Sequence, residues 1–70
     1  GIAQTQLNGA LSATASTVPV DSVTGFLTQD ILYIDNEIIW YDNLSAAGNT
    51  FGTSTDVVTR GYAGSTAAAH

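Results

Sequence analysis

The stretch Ile31-Leu-Tyr-Ile-Asp-Asn-Glu-Ile-Ile-Trp-Tyr41 decides the fold. Ile, Tyr and Trp crowd its two halves, and branched and aromatic side chains favour a pleated, packed backbone. Asp35, Asn36 and Glu37 divide the halves. Asn tolerates the left-handed region, so Asp35 and Asn36 read as the turn of a two- or three-residue hairpin, with Asn36 as its pivot. Side chains alternate along a strand. Ile31, Tyr33 and Asp35 therefore share one face of the first strand, and Leu32 and Ile34 the other. In the second strand Ile39 and Tyr41 oppose Ile38 and Trp40. Both faces are largely apolar, which predicts burial on two sides or at an interface.

Working outward, residues 43–49 read as a loop of small residues, and Thr50-Phe51 reopens extended structure. A polar loop over 52–56 leads to a final strand over 57–60 and a turn over 61–64. The tail from Ser65 to His70 has three alanines, too few to sustain a helix alone. It is expected to be extended or frayed unless a neighbour holds it. Upstream, Pro19 confines its stretch to a sheet edge or to a position whose missing N–H faces away from a partner. Asp21 to Phe26 reads as a turn in which Val23 and Phe26, three apart, are buried together. The pattern gives five or six short strands at roughly 8–12-residue spacing and no convincing helix. The expected fold is all-β: a small antiparallel β-sandwich or barrel. Residues 1–70 read as one β domain, with an N-terminal arm over 1–20 and a hairpin-rich body over 21–70.

Seventy residues lie near the lower limit for independent folding. A core this small rarely supplies more than ~3–5 kcal/mol, and small domains compensate with disulfides, metals or association. There is no Cys, so disulfides and thiolate metal sites are excluded. Association remains. Leu7, Leu11, Val18 and Val20 form an apolar alternation behind a polar leader. They read either as the chain's own first strand or as a donor strand that completes a neighbour's sheet. Gly1 in place of an initiator Met reads as a processed product or a fragment.

Six carboxylates face one cation, Arg60, and only 10% of residues are charged. Phosphate-directed nucleic-acid binding needs clustered Lys and Arg, so no nucleic-acid partner is expected. No apolar run approaches the ~20 residues of a membrane span, so no membrane insertion is expected either.

Arg60 reads as the partner of Glu37 or of a neighbouring Asp, a structural ion pair locking the hairpin to the last strand. Asp30, Asp35, Glu37 and Asp42 flank the hairpin without the dense spacing of a calcium loop. They read as solvated strand ends and turn caps. His70 has no Ser or Cys constellation near it and reads as inert or as a contact to a next subunit. Trp40, Tyr33, Tyr41 and Tyr62 read as core or interface, with a sugar platform as the alternative. Asn43-Leu-Ser45 is an N-glycosylation sequon, with Asn43 the candidate acceptor. No catalytic residue, cofactor or metal ligand emerges, and the chain is not expected to be an enzyme.

Several pieces in order resemble a β-module of bacteriophage tail, baseplate and fibre proteins. They are Ala10-Leu-Ser12, Thr17-Val-Pro-Val-Asp21, Gly25-Phe26, Ile31–Ile34, Asn36-Glu37, Ile39-Trp-Tyr41, Gly48-Asn-Thr-Phe51, Thr59-Arg-Gly61 and Gly64–His70. The 52–56 loop is longer than the module's, and Leu27-Thr-Gln-Asp30 lacks the glycine usual there. The resemblance implies a structural, self-assembling virion component whose partners are copies of itself or other virion proteins. Two alternatives stand beside it. One is an extracellular filament subunit joined head-to-tail by strand exchange and carrying glycan. The other is a small carbohydrate-binding module. The expected location is the virion or the extracellular space.

Overall fold

The computed structural model describes residues 3–70. Among the described residues the chain is all-β and antiparallel, with five strands: β1 (Val18–Pro19), β2 (Asp30–Ile34), β3 (Glu37–Tyr41), β4 (Leu44–Ser45) and β5 (Thr50–Phe51). A single 3₁₀ turn, Tyr62–Gly64, follows. The strands form two open sheets, a three-stranded one in the order β1-β5-β4 and the β2-β3 hairpin. Among the described residues no helix is long and apolar enough to cross a membrane.

The hairpin forms where branched and aromatic residues are densest. Its register pairs Asp30 with Tyr41, Leu32 with Ile39, and Ile34 with Glu37. Because side chains alternate, Leu32, Ile39, Tyr41 and Glu37 fall on one face, and all four are buried. The three-stranded sheet contributes Val18 and Phe51, each fully buried. Phe51 joins the two sheets: its ring lies 4.7 Å from Tyr41 and 4.9 Å edge-on from Phe26. Leu11, Val20, Val23 and Val58 complete the core. The sheets thus face each other across one apolar layer. Of the two architectures expected, the barrel is not the one formed, since both sheets remain open.

Several local expectations are corrected. Asp35, not Asn36, adopts the left-handed conformation at the hairpin turn, with φ 53°. Asp tolerates this region as Asn does, because a short polar side chain bonds locally. Residues 43–49 contain a strand: β4 pairs with β5, Leu44 opposite Phe51. Asn49, at φ 50°, turns the chain between them. The final strand expected over 57–60 reduces to one bridge, Thr59 with Trp40. Around Val23, one turn closes through a 3.1 Å bond from Phe26 N–H to the Val23 carbonyl; Val23 is buried and Phe26 half-buried.

The N-terminal arm lies beside β1. Leu7 bridges Val20, and flanking backbone bonds run from Asn8 N to Pro19 O (3.1 Å) and from Asp21 N to Gln6 O (2.9 Å). Within one chain Leu11, Val18 and Val20 fill that chain's own core, with Leu7 packed against it. An exchanged arm would replace these contacts like for like.

Candidate functional site

Two features stand out: a buried ionic cluster behind the hairpin turn, and the outer edge of β2.

The cluster centres on Glu37, the first residue of β3, which is 1% exposed. Strand alternation aims it into the core side, so its charge must be met there. Arg60 meets it with a two-pronged contact, Nε to Oε2 at 2.8 Å and Nη2 to Oε1 at 2.9 Å. Backbone amides add to this: Gly61 N–H donates to Oε2 at 3.0 Å and Ala68 N–H to Oε1 at 3.1 Å. The Arg60 guanidinium also donates to the carbonyls of Ser12 (2.6 Å), Ala15 (3.3 Å) and Ala68 (2.8 Å). One buried pair therefore ties together the hairpin, the segment after Leu11, and the tail.

His70 completes the cluster, against the expectation of an inert or intersubunit residue. Its side chain is 4% exposed, with Nε2 2.7 Å from Glu37 Oε1 and Nδ1 2.9 Å from Asp35 Oδ2. Its backbone exchanges two bonds with Leu11, N–H to O at 2.8 Å and O from N–H at 2.9 Å. The tail is extended, as expected, but its own chain holds it. Sequence offers little signal for this, because the Ala run carries no periodicity and the partners lie far away in the chain.

The electrostatics follow from these contacts. Arg60 chiefly, with His70 and the two amides, holds the Glu37 carboxyl well below the usual carboxylate range against the opposing effect of burial. Glu37 and then Asp35 push the His70 imidazole upward, with burial opposing. The Tyr41 phenol is pushed up by burial and by Asp30, and its O–H donates to the Leu27 carbonyl at 2.7 Å. Among the described residues no buried side-chain nitrogen or oxygen is left without a partner. Among the described residues no three His, Cys, Asp or Glu side chains are set to hold a metal ion.

The two edges of the hairpin differ. On β3, Ile38 N–H donates to Ser65 Oγ at 2.9 Å, and Trp40 exchanges N–H and C=O bonds with Thr59 at 3.1 and 2.8 Å. These residues direct their backbone polar groups away from β2. Their cross-strand partners, Tyr33 and Ile31, must direct theirs away from β3. Asp30 Oδ1 accepts the Ile31 N–H at 2.8 Å. Among the described residues, no backbone partner reaches the Tyr33 N–H or the Ile31 and Tyr33 carbonyls. β3's outer edge is covered; among the described residues, nothing covers β2's. The β2 edge borders an open cleft of about 950 Å³ that residues 3–7 of the arm also line.

The hairpin's outer face is apolar too. Tyr33 is 73% exposed, and Ile31, Ile38 and Trp40 are half-buried. Tyr62 stacks on Trp40, centroids 5.9 Å apart. Tyr41 lies in the core, so the four aromatics considered for a sugar platform do not share one surface. Asn43 is half-buried, with Nδ2 donating to Asp56 Oδ2 at 3.2 Å and Oδ1 accepting the Leu44 N–H at 2.9 Å. A glycan on that nitrogen would compete with the Asp56 contact.

Comparison with protein-family models, with curated proteins and with solved structures finds no match for this chain.

Proposed function

We propose that the chain is a non-enzymatic structural subunit that builds into a larger particle, a phage tail or fibre or a related virion part. The observation that carries this is the contrast between the hairpin's two edges. Among the described residues β2 offers an unpaired backbone edge beside an exposed apolar face, and such a surface suits strand-mediated assembly. The ionisable groups support the same reading, because Glu37, Arg60 and His70 are consumed in holding the tail. The virion setting rests on the ordered resemblance from Ala10 to His70. Immuno-electron microscopy of the native source tests it. Label on a regular particle is expected; label confined to solitary monomers would overturn the proposal.

A second reading, a head-to-tail filament, draws on the arm. The arm pairs with β1 and its flank through one bridge, Leu7 to Val20, and two flanking backbone bonds, contacts that the arm of a neighbouring copy could make in the same way. Deleting residues 1–8 spares the buried Leu11 and is expected to abolish polymerisation. Filaments that persist would contradict strand exchange.

A further inference from the structure

We propose that the open edge of β2 receives an extended segment of a partner protein that carries Lys or Arg at both ends of an apolar-alternating stretch. This rests on the assembly reading and names the partner's chemistry.

The backbone defines the docking mode. Tyr33 presents both N–H and C=O outward, the pattern that a narrow antiparallel pair completes. Ile31 presents only its carbonyl, because Asp30 holds its N–H. An incoming strand therefore gains its ladder at Tyr33 and at the Ile31 carbonyl. The cleft beside the edge gives its side chains an apolar bed, with Leu7, Phe26 and Leu27 among the lining residues. Leu27 is 66% exposed, so contact surface remains to be covered.

Charge selects the occupant. Asp30 opens β2 and Asp35 follows its last residue in the turn, so a carboxylate stands at each end of this edge. Asp35 is 79% exposed even while one oxygen contacts His70. The chain carries a net charge of −5, and its one Arg or Lys is bound to Glu37. A second copy is a poor occupant. Antiparallel pairing of two β2 edges through Ile31 and Tyr33 sets each Asp30 opposite Ile34 and one position from the other copy's Asp35, and parallel pairing sets like against like. Like charges brought together across a strand pair destabilise it, and the chain's one Arg or Lys is already bound to Glu37. A segment with basic ends meets both carboxylates and is steered in by the chain's field.

The test is a titration of the ¹⁵N-labelled full chain with two acetylated, amidated peptides, KVTVTVK and EVTVTVE. The Lys-ended peptide is expected to give saturable shifts centred on Ile31, Tyr33 and residues 3–7. Its affinity should fall about tenfold between ~0.02 and ~0.3 M salt, as screened charge contacts require. The Glu-ended peptide should bind at least about tenfold more weakly. Asp30→Asn keeps the oxygen that accepts the Ile31 N–H and should weaken the Lys-ended peptide about threefold. Shifts absent from β2 at millimolar peptide, with the folded spectrum intact, would overturn the inference and show the carboxylates to be edge guards only. Equal binding of both peptides would overturn the charge selection. Either failure, with the chain still found in a particle, leaves the assembly reading standing; peptide binding by a chain that its source holds only as a monomer supports the site while ending that reading.

Discussion

His70 Nε2 lies 2.7 Å from Glu37 Oε1, a contact spanning thirty-three positions of sequence. On the other side of the ring, Nδ1 reaches Asp35 Oδ2 at 2.9 Å. A neutral imidazole has one donor and one acceptor, so it satisfies only one of two carboxylates. The doubly protonated ring satisfies both. The fold therefore stabilises the imidazolium, and the tail is held by charge as well as by backbone pairing.

This fixes a pH dependence. The folded pKa of His70 is raised above its ordinary 6.5, so its contribution is fully present below 6.5 and is lost as pH rises through the raised value. The folded pKa of Glu37 is depressed below its ordinary 4.5, so its contribution is present above 4.5 and is lost as pH falls toward the depressed value. Stability is expected to peak between pH 4.5 and 6.5. Urea denaturation across pH checks this, and His70→Gln should flatten the decline above 6.5.

Removing Glu37 should be severe. Glu37→Leu leaves the nearly buried Arg60 without its counter-charge, a change that destabilises by about 3–5 kcal/mol. That is comparable to all the stability a core of this size supplies. The double variant with Arg60→Met is expected to give only partial recovery. The Gly61 and Ala68 amides would still lose their acceptor, and His70 one of its two. Circular dichroism melts of the three proteins decide this; full recovery in the double variant would show that the amides find other partners.

Gly61 joins the cluster to the last turn. Its φ is 57°, and a Cβ there would sit 3.0 Å from Ala67 N and 3.1 Å from Ser65 O. Gly61→Ala is expected to destabilise by about 1–3 kcal/mol through left-handed strain and this crowding. Loss of His70 ring contacts in the NMR spectrum would accompany it, because the displaced backbone is the tail itself.

Phe51 is the core's keystone by position, its ring packing against Tyr41 of the hairpin and Phe26 of the turn after Val23. Phe51→Ala should remove about 3–5 kcal/mol and leave the isolated chain largely unfolded. Tyr41→Phe keeps the ring but orphans the Leu27 carbonyl, for a loss of about 1 kcal/mol. Paired denaturant titrations should rank the two in that order.

The hairpin was legible because its residues are dense in strand formers and its turn is polar. The Glu37–Arg60 pairing could be narrowed from composition, since any inward carboxylate had one cation to find. Other features carried no local signal. His70 depends on contacts far along the chain, and the Ala tail has no periodicity. Asp35 and Asn36 are both able to turn left-handed, so sequence could not rank them. The strand expected over 57–60 shrank to a bridge at Thr59, because the covering of β3 is shared with Ser65. The asymmetry of the two hairpin edges is a tertiary property, visible only once Ser65 and Thr59 are placed.

That asymmetry is the centre of the account, and amide hydrogen exchange at Tyr33 tests it most directly. In the isolated chain the Tyr33 N–H should exchange rapidly while Leu32 and Ile39, paired within the hairpin, exchange slowly. In the particle recovered from the native source, Tyr33 should become as slow as Leu32. Rapid exchange at Tyr33 in both states would contradict the account, since the edge of β2 would then remain uncovered in the assembly.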